Sequence, residues 1–157
     1  MSFVSTDPPS RQSENTWFTP KSFIDSLGVF DLDPCTMSFR PFDTAKKHFE
    51  FDRGQDALKL DWEGDVWLNP PYGKEILPFI DKFITHRKGV MLVFARMGSE
   101  GIQRLIKSGA YFYFLRKRIR FLNKNGKIET SAGTDSCLVF FDPKYIPRME
   151  KFAGVFK

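Results

Sequence analysis

The sequence predicts an α/β fold: a mostly parallel sheet with helices between its strands and an antiparallel hairpin near the C-terminus. Three observations predict it. Apolar runs of strand length alternate along the chain with segments whose apolar residues recur at helical spacing, the pattern of βαβ units. Gly89 to Ala95 is apolar throughout, as a strand covered on both faces should be. Asn123-Lys124-Asn125-Gly126, set between two short strand-like runs, is a hairpin turn signal.

The elements follow in order. Thr19 with Pro20 behind it is a helix start signal, and a short helix is expected over Pro20 to Leu27. A strand is expected over Val29 to Asp33, ended by Pro34, and a second over Lys47 to Phe51. Asp65 to Leu68 reads as a third, stopped by Asn69-Pro70-Pro71. Ile76, Leu77, Ile80, Phe83 and Ile84 make Glu75 to His86 an amphipathic helix. After the Gly89 to Ala95 strand comes a helix over Ser99 to Ser108, closed by Gly109. A strand over Ala110 to Leu115 leads to the hairpin, Ile119 to Leu122 and Lys127 to Thr130. A last strand, Cys137 to Phe141, and a helix over Lys144 to Phe152 complete the chain. In open α/β sheets ligands bind beyond the carboxyl ends of the strands. Asp33-Pro34-Cys35, Asn69-Pro70-Pro71-Tyr72 and Ala95-Arg96 are expected to converge there.

Composition narrows the function. The 157 residues suit one domain with a full core. A polar, disordered leader is expected over residues 1–15 and a single domain over residues 16–157. No apolar run is long enough for a membrane span and the leader lacks the apolar centre of a signal peptide, so a cytoplasmic protein is expected. Two histidines, His48 and His86, exclude a His-rich metal site and argue against a Ser-His-Asp triad; no metal is expected. Two cysteines, Cys35 and Cys137, make no disulfide framework. The net charge of +5 suits a polyanion partner, although a basic protein without one has the same total.

Asn69-Pro70-Pro71-Tyr72 carries the most chemistry. The nitrogen of an aromatic amine is a poor nucleophile because its lone pair is delocalised into the ring. Two acceptors aimed at its N–H bonds draw it toward tetrahedral geometry and free the lone pair for in-line attack on a sulfonium methyl. The Asn69 side-chain oxygen is one acceptor. The Pro70 carbonyl, held by two prolines, is the other. Tyr72 offers a flat face for an extruded base. No strong general base is needed, since the product ammonium is acidic. The plain alternative is a Pro-Pro turn with an exposed tyrosine; the hydrophobic strand before the motif and the helix after it favour the chemical reading.

The chain resembles the phage-encoded DNA N6-adenine methyltransferases of the small Dam type from Trp17 to Phe141. The resemblance rests on Trp17-Phe18-Thr19-Pro20, Phe30-Asp31-Leu32-Asp33-Pro34-Cys35, Asp56-Ala57-Leu58 with Asp61-Trp62, Val66 to Gly73, and Arg118-Ile119-Arg120-Phe121. It implies a Rossmann-like methyltransferase fold and S-adenosylmethionine as cofactor. It places Trp17, Thr19 and Pro20 over the methionine part, Asp33, Pro34 and Cys35 near the amino group or sugar, and Asp56 at the ribose or the adenine amine. Each has an ordinary alternative: Thr19 a helix cap, Asp33 a turn residue, Asp56 a solvated loop acid, Trp17 plain core. Asp52 and Asp61 rival Asp56. The glycine-rich cofactor loop of larger methyltransferases is missing; Cys35-Thr36-Met37-Ser38 stands in its place. The resemblance also implies a GATC target.

Arg116, Arg118 and Arg120, with Lys117 among them and Lys124 and Lys127 across the turn, suit contact with the phosphates of double-stranded DNA. Alternation puts Arg118 and Arg120 on one face and Ile119 and Phe121 on the other. The alternative is a solvated edge strand protected by charge. A duplex buries the adenine amine, so the target should be flipped out. An open cavity joining Trp17, Asp33 and Asn69 is expected. Two competing functions remain: methylation of RNA adenine or a protein glutamine by the same chemistry, and an inactive nucleic-acid-binding protein on the same fold. The oligomeric state is left open.

Overall fold

The computed structural model describes residues 17–131 and 133–149. The expected leader and the end of the expected C-terminal helix lie outside them. The elements are α1 (Lys21–Leu27), β1 (Leu32–Thr36), β2 (Lys47–Glu50), β3 (Val66–Leu68), α2 (Ile76–His86), β4 (Gly89–Phe94), α3 (Glu100–Lys107), β5 (Tyr111–Phe114), β6 (Arg120–Leu122), β7 (Ile128–Ser131), β8 (Ser136–Phe140) and α4 (Ile146–Met149). Short 3-10 turns cover Phe51–Arg53 and Pro143–Tyr145.

Six strands form one sheet in the order β2-β1-β3-β4-β8-β5. The first four are parallel neighbours, and β8 runs antiparallel between β4 and β5. The antiparallel hairpin β6–β7 is a separate two-stranded sheet. The mostly parallel sheet and the late hairpin are as expected; the insertion of β8 between β4 and β5 was not legible. A strand's direction depends on which neighbour it reaches, and Ser136–Phe140 carries only an apolar pattern.

Side chains along the central strands alternate between two cores, as the period of a strand requires. Val66, Leu68, Met91, Val93, Cys137 and Val139 point to one face and pack with Ile80 and Phe83 of α2 and Ile102 and Leu105 of α3. Trp67, Val90, Leu92, Leu138 and Phe140 point to the other. There they meet Ile24 and Leu27 of α1, Ile119 and Phe121 of the hairpin, and Tyr145 and Met149. The sheet is thus covered on both faces, and its carboxyl edge is left for chemistry. The hairpin is tied down as well. Phe18 and Leu122 exchange two backbone hydrogen bonds of 2.8 Å, and Ile119 and Phe121 are buried.

Two local expectations are corrected. The first strand does not stop at Pro34: it begins at Leu32 and runs on through Thr36, with every residue buried. Proline lacks a ladder donor, but the register between β1 and β2 shifts between Asp33 and Thr36, so the missing N–H falls in an irregularity. Thr19 does not cap α1. Pro20 is the N-cap and no side chain caps the helix. Its first turn closes on the Pro20 carbonyl, which accepts from the backbone N–H of Phe23 and Ile24. The Thr19 hydroxyl is used elsewhere.

Candidate active site

β3 is a short central strand, and the chain leaves it straight into Asn69-Pro70-Pro71-Tyr72. Asn69, Pro70 and Pro71 are buried and Tyr72 is half-buried. A buried amide must have partners, and Asn69 has two. Its Nδ2 donates to Thr19 Oγ1 at 3.0 Å, and its Oδ1 accepts from the Tyr72 hydroxyl at 2.9 Å. The Tyr72 hydroxyl also lies 3.1 Å from the Leu92 carbonyl on β4. The tyrosine ring stacks on Phe94 at 4.2 Å with 17° between the planes, and the Arg96 guanidinium lies over the Phe94 ring, 5.4 Å from its centroid. Burial pushes the Tyr72 phenol well above its ordinary range, so it remains a donor.

Thr19 is therefore brought to Asn69 and Tyr72 from a segment fifty residues away. The remaining predicted residues are dispersed around this centre. Asp33 is buried on β1 next to β3, with both carboxylate oxygens engaged: one accepts from Cys35 N at 3.0 Å, the other from the Thr44 hydroxyl. Pro34 and Cys35 are buried beside it, and burial together with the Asp33 charge pushes the Cys35 thiol far up, which keeps it unreactive. Trp17 is half-buried and packs against the core under α1. Pro20 is half-buried at the helix start.

Asp56 stands apart in the loop between β2 and β3, exposed, with Oδ1 accepting from Leu58 N and Oδ2 3.9 Å from Lys59. That loop is firmly tied. The carbonyls of Ala57, Leu58 and Leu60 converge on Lys82 of α2, and Trp62 donates to the Ala57 carbonyl. Part of the Asp56-Ala57-Leu58 and Asp61-Trp62 block is therefore architectural. Asp52 is turned toward Ser38, accepting from its backbone N–H and hydroxyl.

Four further residues stand at or near the carboxyl edge, none of which was given a role from the sequence. Glu50 ends β2, partly buried and 3.1 Å from Arg40. Phe51 follows it, half exposed, and Leu58 is 38% exposed in the same loop. Thr36 ends β1 opposite Glu50 and buries a hydroxyl with no hydrogen-bond partner. The signal for Glu50 and Phe51 was present: an acid and an aromatic at the end of the second strand.

The predicted cations line a surface groove of about 770 Å³, formed by Pro20, Ser22 and Phe23 on one side and Leu115 to Arg120 on the other. Its lining holds four cations and no carboxylate. Arg116, Arg118 and Arg120 are exposed, while Ile119 and Phe121 face the core, the alternation expected. Arg118 pairs with Asp135 at 3.1 Å. Lys124 and Lys127 are exposed at the turn, which Asn123 closes by accepting from the backbone N–H of Asn125 and Lys127. The groove is not the expected cavity: Trp17, Asp33 and Asn69 are absent from its lining, and it approaches the Asn69 centre only through Pro20, next to Thr19.

Among the described residues no helix is long and apolar enough to cross a membrane. No curated protein and no solved structure matches the chain. A family model, DNA N-6-adenine-methyltransferase (Dam), matches residues 8–156. This covers the β3 turn, the acidic loop and the basic groove together, and so the chain belongs to the Dam family of DNA N-6-adenine-methyltransferases and is an adenine-specific DNA methyltransferase.

Proposed function

We propose that the protein transfers the methyl group of S-adenosylmethionine to the N6 amine of an adenine flipped out of double-stranded DNA, with Asn69, Pro70, Pro71 and Tyr72 as the catalytic segment. The observation that carries this reading is the Asn69 amide, anchored at the carboxyl end of β3 with an aromatic face three residues on. Asn69 Oδ1 and the Pro70 carbonyl accept from the two N–H bonds of the amine and localise its lone pair. With S-adenosylmethionine bound, its sulfonium methyl would pass to the nitrogen, the N–CH3 bond forming as the S–CH3 bond breaks, and the ammonium proton would leave to water. Tyr72, backed by Phe94, supplies the stacking face.

The residues at the carboxyl edge fit such a cofactor. Glu50 and Asp56 are acceptors for ribose hydroxyls or an adenine amine. Phe51 is an exposed aromatic surface beside Glu50, and the buried Thr36 hydroxyl lacks a partner. Trp17, Thr19, Pro20, Asp33, Pro34 and Cys35 complete the proposed cofactor contacts; the oxygens of Asp33 are already engaged by Cys35 N and the Thr44 hydroxyl, so it acts by fixing the course of β1. When bound, S-adenosylmethionine supplies an electrophilic methyl on a sulfonium. The basic groove and the hairpin lysines contact DNA phosphates.

The test is incubation with methyl-labelled S-adenosylmethionine and duplex DNA, RNA and glutamine-bearing protein, followed by identification of the labelled group. N6-methyladenine in DNA is expected. Label in RNA or protein alone, or binding of DNA with no transfer to any acceptor, would reject the proposal.

A further inference from the structure

We infer that Arg96 holds a backbone phosphate flanking the flipped adenine, and so favours the extruded nucleotide over the stacked one. The inference rests on the catalytic reading of the β3 turn above. It concerns a cation that does not line the basic groove and gives it a different task.

The fold places Arg96 beside the catalytic segment. β3 and β4 are parallel neighbours, with Leu68 paired to Met91, so the chain leaves both at the same edge of the sheet. Tyr72, shortly after β3, stacks on Phe94, the last residue of β4, and the Arg96 guanidinium lies over that same ring. A single ring, Phe94, thus carries both the cation and the tyrosine proposed to receive the base. The backbone beneath is tied. Arg96 N–H donates to the Phe94 carbonyl at 2.8 Å, and the Arg96 carbonyl accepts from Ser99 N–H at 2.9 Å. Gln103 Nε2 donates to the next carbonyl, that of Met97, at 2.8 Å.

The charge of Arg96 is not neutralised within the fold. Among the described residues it forms no ion pair, and two acids of adjoining segments are engaged elsewhere, Glu100 by Arg104 and Asp135 by Arg118. A ring face orients a guanidinium and leaves its charge in place. The exposed fork of N–H donors suits two oxygens of one phosphate. Arg96 also adjoins the groove: the Asp135 carbonyl accepts from Ala95 N–H at 2.9 Å, while the Asp135 carboxylate pairs with Arg118 of the groove lining. An adenine that leaves the stack carries its own phosphates with it. Groove cations meet the duplex whether or not the base is flipped, so they raise affinity alone. A cation beside Tyr72 meets a phosphate only once the base has reached that ring, and the contact offsets part of the lost stacking and pairing.

The experiment uses the full-length protein and a duplex carrying an adenine mapped as its methylation site. The duplex is prepared unmodified, with uncharged methylphosphonates on both sides of that adenine, and with 2-aminopurine, which fluoresces when unstacked, in its place. In the parent the methylphosphonates are expected to lower kcat/KM roughly tenfold or more. Arg96→Gln should lose about as much on the unmodified duplex and less than about threefold further on the methylphosphonate duplex. Its binding should leave the 2-aminopurine dark where the parent makes it bright. Arg120→Ala, a groove variant, should bind more weakly yet keep the full methylphosphonate penalty. Parental kcat/KM in Arg96→Gln overturns the inference, as does a full methylphosphonate penalty or a parental 2-aminopurine signal in that variant. A parent that methylates no DNA adenine removes the underlying catalytic reading and the inference with it, so the two failures are distinguishable.

Discussion

Arg120→Ala should weaken DNA binding and flatten its salt dependence by an amount the structure constrains. Each phosphate neutralised by a protein cation contributes about −0.9 to the slope of log K against log salt on duplex DNA. Raising salt fourfold, from 50 to 200 mM, therefore costs about 3.5-fold in affinity per contact. Arg120 is exposed on β6, and loss of its contact should reduce the slope by about 0.9. Arg118 differs, because it is already 3.1 Å from Asp135 and DNA must displace that carboxylate. The pair is open to solvent, with side-chain exposures of 49% and 72%, so breaking it costs about 0.5 kcal/mol. Asp135→Ala should accordingly tighten DNA binding about twofold. The assay is fluorescence anisotropy of a labelled duplex titrated with each variant between 50 and 200 mM salt. An unchanged slope in Arg120→Ala, or weaker binding in Asp135→Ala, would refute phosphate contact at this groove.

Three other outcomes test separate parts of the molecule. Asn69→Ala should lower the methylation rate roughly 100-fold or more. It should destabilise the fold by only about 1–2 kcal/mol, because the Tyr72 hydroxyl keeps the Leu92 carbonyl while Thr19 alone loses its partner, as calorimetric melting would show. Gly89→Ala should fail to fold or lose more than about 3 kcal/mol, since Gly89 has φ +110° and an added Cβ would run into the Val66 backbone; a normal urea midpoint would contradict this. His48 accepts through Nε2 from the backbone N–H of Thr44 and Ala45, and burial, with the Arg40 charge adding to it, holds its pKa below the ordinary 6.5. The unfolded chain binds that proton more readily than the fold does. The stabilisation is therefore complete above pH 6.5 and is lost as pH falls through and below it. His48→Gln should remove that part of the acid sensitivity, read as melting temperature against pH.

Much of this protein was legible from its residues. Apolar periodicity located the strands and helices, because a covered sheet needs continuous apolar runs and a helix on its face needs one stripe. The chemistry proposed for Asn69-Pro70-Pro71-Tyr72 could be framed from the sequence because two acceptors and a ring adjoin within four residues, with no long-range contact needed to suggest it. The alternation of Arg118 and Arg120 with Ile119 and Phe121 was likewise a local matter of strand period. Tertiary structure alone decided the rest. Thr19 reads as a helix cap because its local context is that of a cap; only the packing of residues 17–20 against the end of β3 makes it the partner of Asn69, fifty residues away. Pro34 reads as a stop because a register shift in a neighbouring strand leaves no local trace. Phe94 and Leu92 look like core, and only the pairing of β4 with β3 sets their ring and carbonyl beside Tyr72. Local sequence determined which groups could do chemistry. Their mutual orientation depended on contacts between distant segments, which exist only once the burial of both sheet faces has brought those segments together.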